Sequence, residues 1–387
     1  MKKFLYVPSL NCTVAAKNDE YLSYWYAVRF ADTIESGADR LAMLGGKTLT
    51  LDESGERAFV SVKPTDGGYT VSCGSFFGFE TILNKLQKGI FAVGTFPITY
   101  DCEGDAYALA DRQHRVMYSN VLWDNDILHY APARNRLTAA IVKEYAPEIV
   151  GMQECGQRKR KECGIYALEN VMSEAGYVEA CVQAVNNCDN VNCTPIFYNP
   201  DAVRLLYCGY YWYENQCQLV GRGDQSSKSL TWGRFRFKND QKELLFVSTH
   251  MCTQDDDVRE KQAMEAEKLI TSLQSESGCP VIFGGDFNGN MSQKNYRYLT
   301  EKAGWTDVRG LVDFCSHEKG HHAHPEFDFR LEIPVSKVQA TEFDEKVSVD
   351  HALTFGGGLK LSRFAIINNY PARSSSDHYP LYVDFEY

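Results

Sequence analysis

Short apolar runs that end in Asn, Asp, Glu or His recur from residue 116 to the end of the chain. Asn120 interrupts "VMYSNVLW", Glu154 ends "GMQE" and His250 ends "VSTH". Asp286 and Asn288 follow "VIFGG", Asp350 lies within "VSVDH", and Asp377 and His378 precede the last run in "SSSDHYP". An unpaired carboxylate costs several kcal/mol to bury, so a buried strand does not usually end in one without a partner. One such residue is unremarkable. Five separate strands, each delivering such a residue at or near its end, predict one shared polar cleft.

The chemistry that suits this set is metal-assisted hydrolysis of a phosphate ester. A hard cation such as Mg²⁺ takes a few carboxylate or amide oxygens and keeps several waters. It holds phosphoryl oxygens and offsets charge on the leaving oxygen. An imidazole tied to a carboxylate accepts a proton from the attacking water or supports developing charge. Each type is present. Glu154 and Asn120 suit the metal, Asp286 and Asn288 the attacking water and phosphate, and His250 the phosphate. Asp350 suits the orienting of His378. Gly284 and Gly285 are expected to break the strand into a sharp turn with its backbone close to the ligand.

The elements that must position these residues are legible from Val116 onward. "RNRLTAAIVKEYAP", "YALENVMSEAGY" and "VREKQAMEAEKLITSLQ" have helical spacing; the first stops at Pro147. "EIVGMQE", "TPIFYNP", "TWGRFRFK", "ELLFVSTHM", "VSVDHALTF", "LSRFAIINN" and "YPLYVDFEY" read as strands. Several strands follow one another without a helix, which predicts mixed or antiparallel sheets with helices on their outer faces, an α/β fold. Residues 1–110 differ. "KTLTLDESGERAFVSVKPTDGGYTVSCG" shows short strand-like runs cut by ESG and TDGG turns, so a smaller β-rich domain is expected ahead of a catalytic domain at 115–387. Its Tyr21, Tyr24, Trp25 and Tyr26 are expected to pack in a core rather than to form a ligand platform.

Composition narrows the partners. Apolar residues make up 44% and charged residues 24% of the 387, values ordinary for a soluble globular protein. No apolar stretch is long enough to span a bilayer. A net charge of −11 argues against a large polyanion as partner. Arg158–Lys161, "RKRK", is the strongly basic cluster. It reads either as a solvated loop or as a phosphate-gripping loop beside Glu154, with Arg158 as a substrate-binding candidate. The aromatic run Tyr210–Tyr213, if it lines the cleft, suits a ring or a sugar. His321, His322 and His324 have spacing that suits either a second metal or a surface loop. The start, "MKKFLYVPSLNCTVA", lacks the long apolar region of a signal peptide, so the thirteen cysteines are expected to be reduced and the location cytoplasmic. If the protein is exported, Cys155/Cys163 and Cys188/Cys193 are close enough in sequence to pair.

"SNVLW", "GMQE", "STH", "GGDFN", "VDHALTF" and "SDHYP", in that order, resemble the endonuclease/exonuclease/phosphatase superfamily over about residues 115–387. The stretch "TPIFYNPDAVRLLYCGYYWY" looks most like its uncharacterised bacterial members. The resemblance implies a two-sheet α/β sandwich of deoxyribonuclease I type, with the site at one end of the sheets and Mg²⁺ or Mn²⁺ as cofactor. It assigns Glu154 and Asn120 to the metal, Asp377 to the metal side, and Asp286 and Asn288 to water and phosphate. It makes Asp350 and His378 an acid–histidine pair and places His250 on phosphate. Where such relatives often carry an Arg before Thr-Trp, this chain has Leu230, with Lys228 and Arg222 as possible substitutes. "CSHEKGHHAHPEFDF" matches no motif of the family. The sequence therefore predicts a metal-dependent hydrolase of a small phosphomonoester or phosphodiester. A nuclease acting on DNA or RNA is the second choice, and a non-catalytic binding module on the same fold the third.

Overall fold

The computed structural model describes residues 3–7, 12–16, 35–36, 47–52, 55, 59–73, 92–97, 109–110, 113–122, 131–156, 167–183, 190–191, 193–218, 225–316, 348–367, 372 and 375–387. Tyr21–Tyr26, Arg158–Lys161, Arg222 and His321–His324 lie outside the described residues, as do Cys163 and Cys188.

Among the described residues, the strands between Lys3 and Pro97 pair only with one another, in one mixed sheet. Cys12–Ala16, Lys47–Asp52 and Gly68–Ser72 run parallel in succession. Phe59–Thr65 joins antiparallel through the expected TDGG turn, where Gly67 has φ +82°. Val60, Val62 and Val71 are buried in this sheet.

From His114 onward, in chain order, the strands of the two large sheets are β1 (His114–Asn120), β2 (Ile149–Gln153), β3 (Val178–Glu179), β4 (Ile196–Tyr198) and β5 (Val203–Trp212). They continue with β6 (Ser229–Phe237), β7 (Glu243–His250), β8 (Val281–Asp286), β9 (Thr306–Asp307) and β10 (Phe314–Cys315). The last are β11 (Asp350–Phe355), β12 (Lys360–Ile366) and β13 (Leu381–Glu386). The helices are α1 (Ala131–Tyr145), α2 (Leu168–Glu174), α3 (Asp256–Ser277) and the short α4 (Lys294–Arg297). One large sheet has the order β3-β4-β2-β1-β13-β12-β10 and the other β5-β6-β7-β8-β11-β9, and three short strands, Asn190–Val191, Gln225–Ser227 and Cys217–Gln218, form a small third sheet. Parallel pairs need a crossover, and α1 and α3 supply it for β1/β2 and β7/β8.

The two sheets pack face to face. Val116, Tyr118, Ile149 and Phe364 from the first meet Phe235, Phe246, Ile282 and Ala352 from the second. The Tyr118 hydroxyl is shared between the carbonyls of Val247 (3.0 Å) and Ile282 (3.2 Å), which ties the sheets together. The outer faces are apolar too, because strands covered on both sides must be. Met117, Val150 and Tyr382 pack under α1 and α2, and Val247, Val281 and Phe283 under α3. The helix expected at 258–274 extends at both ends. The Asp255 side chain accepts from the Asp257 and Val258 amides at the start, and Gly278, φ +68°, closes the end.

Three expectations are corrected. β8 does not break at its glycines; it continues through Gly284 and Gly285 to Asp286. A Cβ at Gly284 would lie 2.6 Å from both the His351 carbonyl and the Tyr118 ring, and one at Gly285 would lie 2.3 Å from the Thr249 carbonyl. The glycines serve close packing of strands and sheets rather than approach of a ligand. The sharp change falls later, at Asn288, φ +48°. The aromatic run does not line a cleft as a unit: the Tyr211 hydroxyl bonds Glu265 on α3 and the buried Tyr213 hydroxyl bonds the Thr249 hydroxyl. The thiols are not uniformly reduced: Cys252 is disulfide-bonded. Cys155 and Cys193, by contrast, are not in disulfides, so neither sequence-adjacent pair forms.

Candidate active site

Strand register brings the polar residues to one end of the sandwich. His250 stands opposite Asp286 across β7/β8, and Asp286 opposite Asp350 across β8/β11. In the other sheet Asn120 pairs with Gln153, which places Glu154 one residue further on. Glu154 has φ +62°, an uncommon conformation for a residue with a side chain and one that clusters at functional sites. Asp377 and His378 lie just before β13.

The contacts are specific. His378 Nδ1 is 2.8 Å from Asp350 Oδ2, and its Nε2 is 3.9 Å from Asp286 Oδ2. Asn120 Nδ2 donates to Glu154 Oε1 (3.2 Å) and Asp286 Oδ2 (3.1 Å), so it bridges the sheets. Asp286 Oδ1 accepts the Asn288 amide at 2.8 Å, and Asn288 Nδ2 donates to the Met251 carbonyl at 2.9 Å. Lys228 Nζ is 2.7 Å from His250 Nε2, and both side chains are buried. His250 Nε2 is also 3.5 Å from Asp286 Oδ2.

Burial and mutual charge set the protonation states. Burial and the charge of Asp377 raise the Glu154 pKa. Burial raises that of Asp286, with Asp350 adding and His378 and Lys228 opposing. For His378 burial works downward, but the charge and hydrogen bond of Asp350, with Asp377 and Asp286 behind them, carry the pKa well above the ordinary value. These carboxylates favour the imidazolium form of the ring. His250 goes the other way: burial, Lys228 and His378 push it well down, so it is neutral. Burial brings Lys228 down to about 8 against the pull of Glu154 and Asp286.

These residues fit a hard divalent cation. Carboxylates are crowded together, and the buried Glu154 Oε2 has no protein partner. Glu154, His250 and Asp286 offer ligand atoms within 4.8 Å of one another, as do Asp286, Asp350 and His378. His378 is committed to Asp350, which leaves Glu154, with its unpartnered oxygen, as the carboxylate best placed to face a cation.

Of the residues expected from the sequence, Glu154, Asn120, His250, Asp286, Asn288, Asp350 and His378 come together, and the charge of Asp377 reaches Glu154. The Asn120 oxygen accepts the Leu122 amide (3.0 Å), and its nitrogen faces the Glu154 and Asp286 carboxylates. Lys228 is buried beside His250, where the family resemblance leaves room for a cation, and Arg222 lies outside the described residues. Arg134 is a charged residue on the apolar stripe of α1, and that placement marks it in the sequence. Fully buried, it donates to the carbonyls of Val121 (2.5 Å) and Ser375 (3.4 Å) and so ties the chain after Asn120 to the segment before Asp377.

A two-sheet α/β sandwich whose strand ends gather carboxylates, imidazoles and a buried lysine defines a hydrolytic scaffold of the deoxyribonuclease I type. The sequence matches the model of the Endonuclease/Exonuclease/phosphatase family over residues 117–378, more than half of its length, and the chain belongs to that family. Among solved structures it is similar to an endonuclease/exonuclease/phosphatase family protein from Bacteroides thetaiotaomicron, with 20% identity and a TM-score of 0.55 over 70% of this chain and 94% of that one. It is similar to a mannosyl-6-phosphatase from Bacteroides thetaiotaomicron VPI-5482, with 20% identity and a TM-score of 0.55 over 71% of this chain and 100% of that one. A Bacteroides vulgatus family member gives 18% identity and a TM-score of 0.55 over 71% and 98%. At these identities the likeness speaks for the fold. A search of curated protein sequences gives no match.

Proposed function

We propose that this protein hydrolyses small phosphate esters with Mg²⁺ or Mn²⁺ bound at Glu154 and its neighbours. The observation that carries the reading is the His378–Asp350 pair, 2.8 Å apart, standing beside Asp286 and an unpartnered Glu154 carboxylate oxygen. When bound, the cation supplies positive charge to phosphoryl and leaving-group oxygens. The chain's own residues do the rest. Asp286 takes a proton from the attacking water; its raised pKa brings it closer to the operating pH, which favours a general base. His378, held as an imidazolium by Asp350, donates to a phosphoryl oxygen and offsets charge as it develops. Neutral His250 and Lys228 line the phosphate side, with Lys228 supplying the cation that the family resemblance led us to expect. Asn120 keeps Glu154 and Asp286 apart and oriented. Asn288 fixes Asp286 through its backbone amide. Arg158 remains a candidate for substrate contact.

A small substrate is favoured by the net charge of −11 and by the shortness of the basic cluster at 158–161. The aromatic run no longer adds support, since Tyr211 and Tyr213 are engaged on the α3 side. The mannosyl-6-phosphatase that shares the fold makes sugar phosphates the first compounds to try. The family match beginning at 117 and the self-contained pairing of strands before Pro97 support domains at 1–110 and 115–387. Among the described residues no helix is long and apolar enough to cross a membrane. The Cys252 disulfide supports an oxidising compartment rather than the cytoplasm that the sequence leads one to expect.

The test is a panel of phosphomonoesters, phosphodiesters and plasmid DNA assayed with Mg²⁺, with Mn²⁺ and with excess chelator. Turnover of a small ester that vanishes with chelator and returns with either cation is expected. Undiminished turnover in chelator removes the metal. Rapid plasmid nicking that falls steeply with salt replaces the small-ester reading with a nuclease. No turnover of any substrate by folded protein favours a binding module.

A further inference from the structure

We propose that His351 and Arg309 are positioning residues that hold the Asp286–Asn290 turn in its working geometry; the proposal rests on the hydrolase reading above. β11 delivers two successive side chains to two tasks. Asp350 bonds His378, while His351, on the opposite face, reaches under the turn that follows β8.

The turn is pinned at every residue. Asp286 accepts from the Asn288 amide, the Phe287 amide donates to the Val349 carbonyl (2.9 Å), and the Phe287 carbonyl accepts from Asn295 Nδ2 (2.9 Å). Asn288 Nδ2 holds the Met251 carbonyl, and the Asn290 amide donates to Gln293 Oε1 (2.8 Å). Gly289 is pressed so close to α4 that a Cβ there would lie 2.1 Å from Asn295 Oδ1. Its carbonyl accepts from His351 Nε2 at 2.8 Å. These bonds hold Asn288 at φ +48°, a conformation that few side-chain-bearing residues adopt without support.

The His351 bond depends on which ring nitrogen carries the proton. Arg309 Nη2 bonds His351 Nδ1. A guanidinium has only donors, so Nδ1 is the acceptor and the single proton sits on Nε2, aimed at Gly289. Burial and the Arg309 charge push the His351 pKa down to about 3 against the opposing pull of Asp307 and of the Gly289 and Ser348 carbonyls, which keeps the ring neutral. Arg309 is fixed in turn by Asp307 Oδ1, which accepts from its amide (2.7 Å) and its Nε (3.2 Å), while Asp307 Oδ2 takes the Tyr296 hydroxyl at 2.6 Å. The ring itself lies between Phe287 and Tyr296, with centroids 5.4 and 4.8 Å away. The chain Tyr296–Asp307–Arg309–His351–Gly289 thus sets a proton's position in order to set a turn. None of its members touches the reacting groups.

The experiment combines kinetics with ¹⁵N NMR of the histidine tautomer in the full chain. Wild type is expected to show His351 as the Nε2–H tautomer, and Arg309→Met to show a mixture. With the turn loosened, His351→Phe should lower kcat at least about tenfold with KM nearly unchanged, since a misplacement of about 1 Å costs up to ~10²-fold. His351→Gln, which keeps a donor and an acceptor, should recover most of the loss. An Nδ1–H tautomer in wild type, or a kcat in folded His351→Phe within about twofold of wild type, overturns the proposal. If wild type hydrolyses no ester, the hydrolase reading fails. The tautomer, together with amide exchange at Gly289 and Asn290 in Arg309→Met, still decides the role of the chain: faster exchange supports it and unchanged exchange overturns it.

Discussion

A hydrogen bond of 2.8 Å between His378 and Asp350 makes the two a single device. His378→Ala and Asp350→Asn are each expected to lower kcat by ~10²- to 10⁴-fold, the usual cost of losing an acid–base group, with little change in KM. The double variant should lose scarcely more than either single one, because the second change removes an interaction already gone. Additive losses in the double variant would show that the residues act separately. Lys228 leads to a different expectation. It and a divalent cation compensate the same carboxylates, so Lys228→Met should reduce turnover while tightening Mn²⁺ binding, as read by calorimetry. Weaker Mn²⁺ binding would mean that Lys228 mainly shapes the site rather than its charge.

At the scale of elements, β8 shows what sequence conveys and what it hides. Val281, Ile282 and Phe283 announce a buried strand, and Asp286 announces a site at its end. Polar side chains at strand ends are visible because burial makes them costly. Gly284 and Gly285 say only that a side chain is absent. What presses on the gap is the Tyr118 ring of the other sheet and the backbone of the neighbouring strands, and long-range contact of that kind leaves no local trace. The same holds for Asn120: its position was legible, but which end of its amide faces the carboxylates depends on the Leu122 amide. Strand alternation turns His351 away from Asp350, and nothing in the sequence pairs it with Arg309. Gly284→Ala tests the packing account. A methyl 2.6 Å from the Tyr118 ring should cost about 1–3 kcal/mol, seen as a lower urea midpoint with an unchanged m-value. A midpoint equal to wild type would mean that the sheets separate at little cost.

For the molecule as a whole, the two ends of the sandwich carry different electrostatics. β1 ends at Asn120 in the site and begins at His114, whose ring is buried between Glu148 (3.0 Å) and Asp240 (3.0 Å). Burial pulls the His114 pKa down, but the hydrogen bonds and charges of those carboxylates outweigh it and raise it above 6.5. A folded-state pKa above the unfolded one means that the contribution is complete below about pH 6.5 and is lost as pH rises through the folded value. The urea midpoint of wild type should therefore fall between pH 6 and the region above the folded pKa, and His114→Gln should flatten that fall. Parallel pH profiles for the two proteins would assign the slope to other groups. The register that lines up His250, Asp286 and Asp350 has a broader consequence. Side chains alternate along a strand, so a slip of one residue in β7, β8 or β11 would turn these three away from the cleft and toward a helix layer while leaving most backbone pairing intact. Circular dichroism would scarcely notice such a molecule, but turnover would. Specific activity after refolding is thus a count of correctly threaded molecules, and length changes that loops tolerate should be lethal to function within these strands.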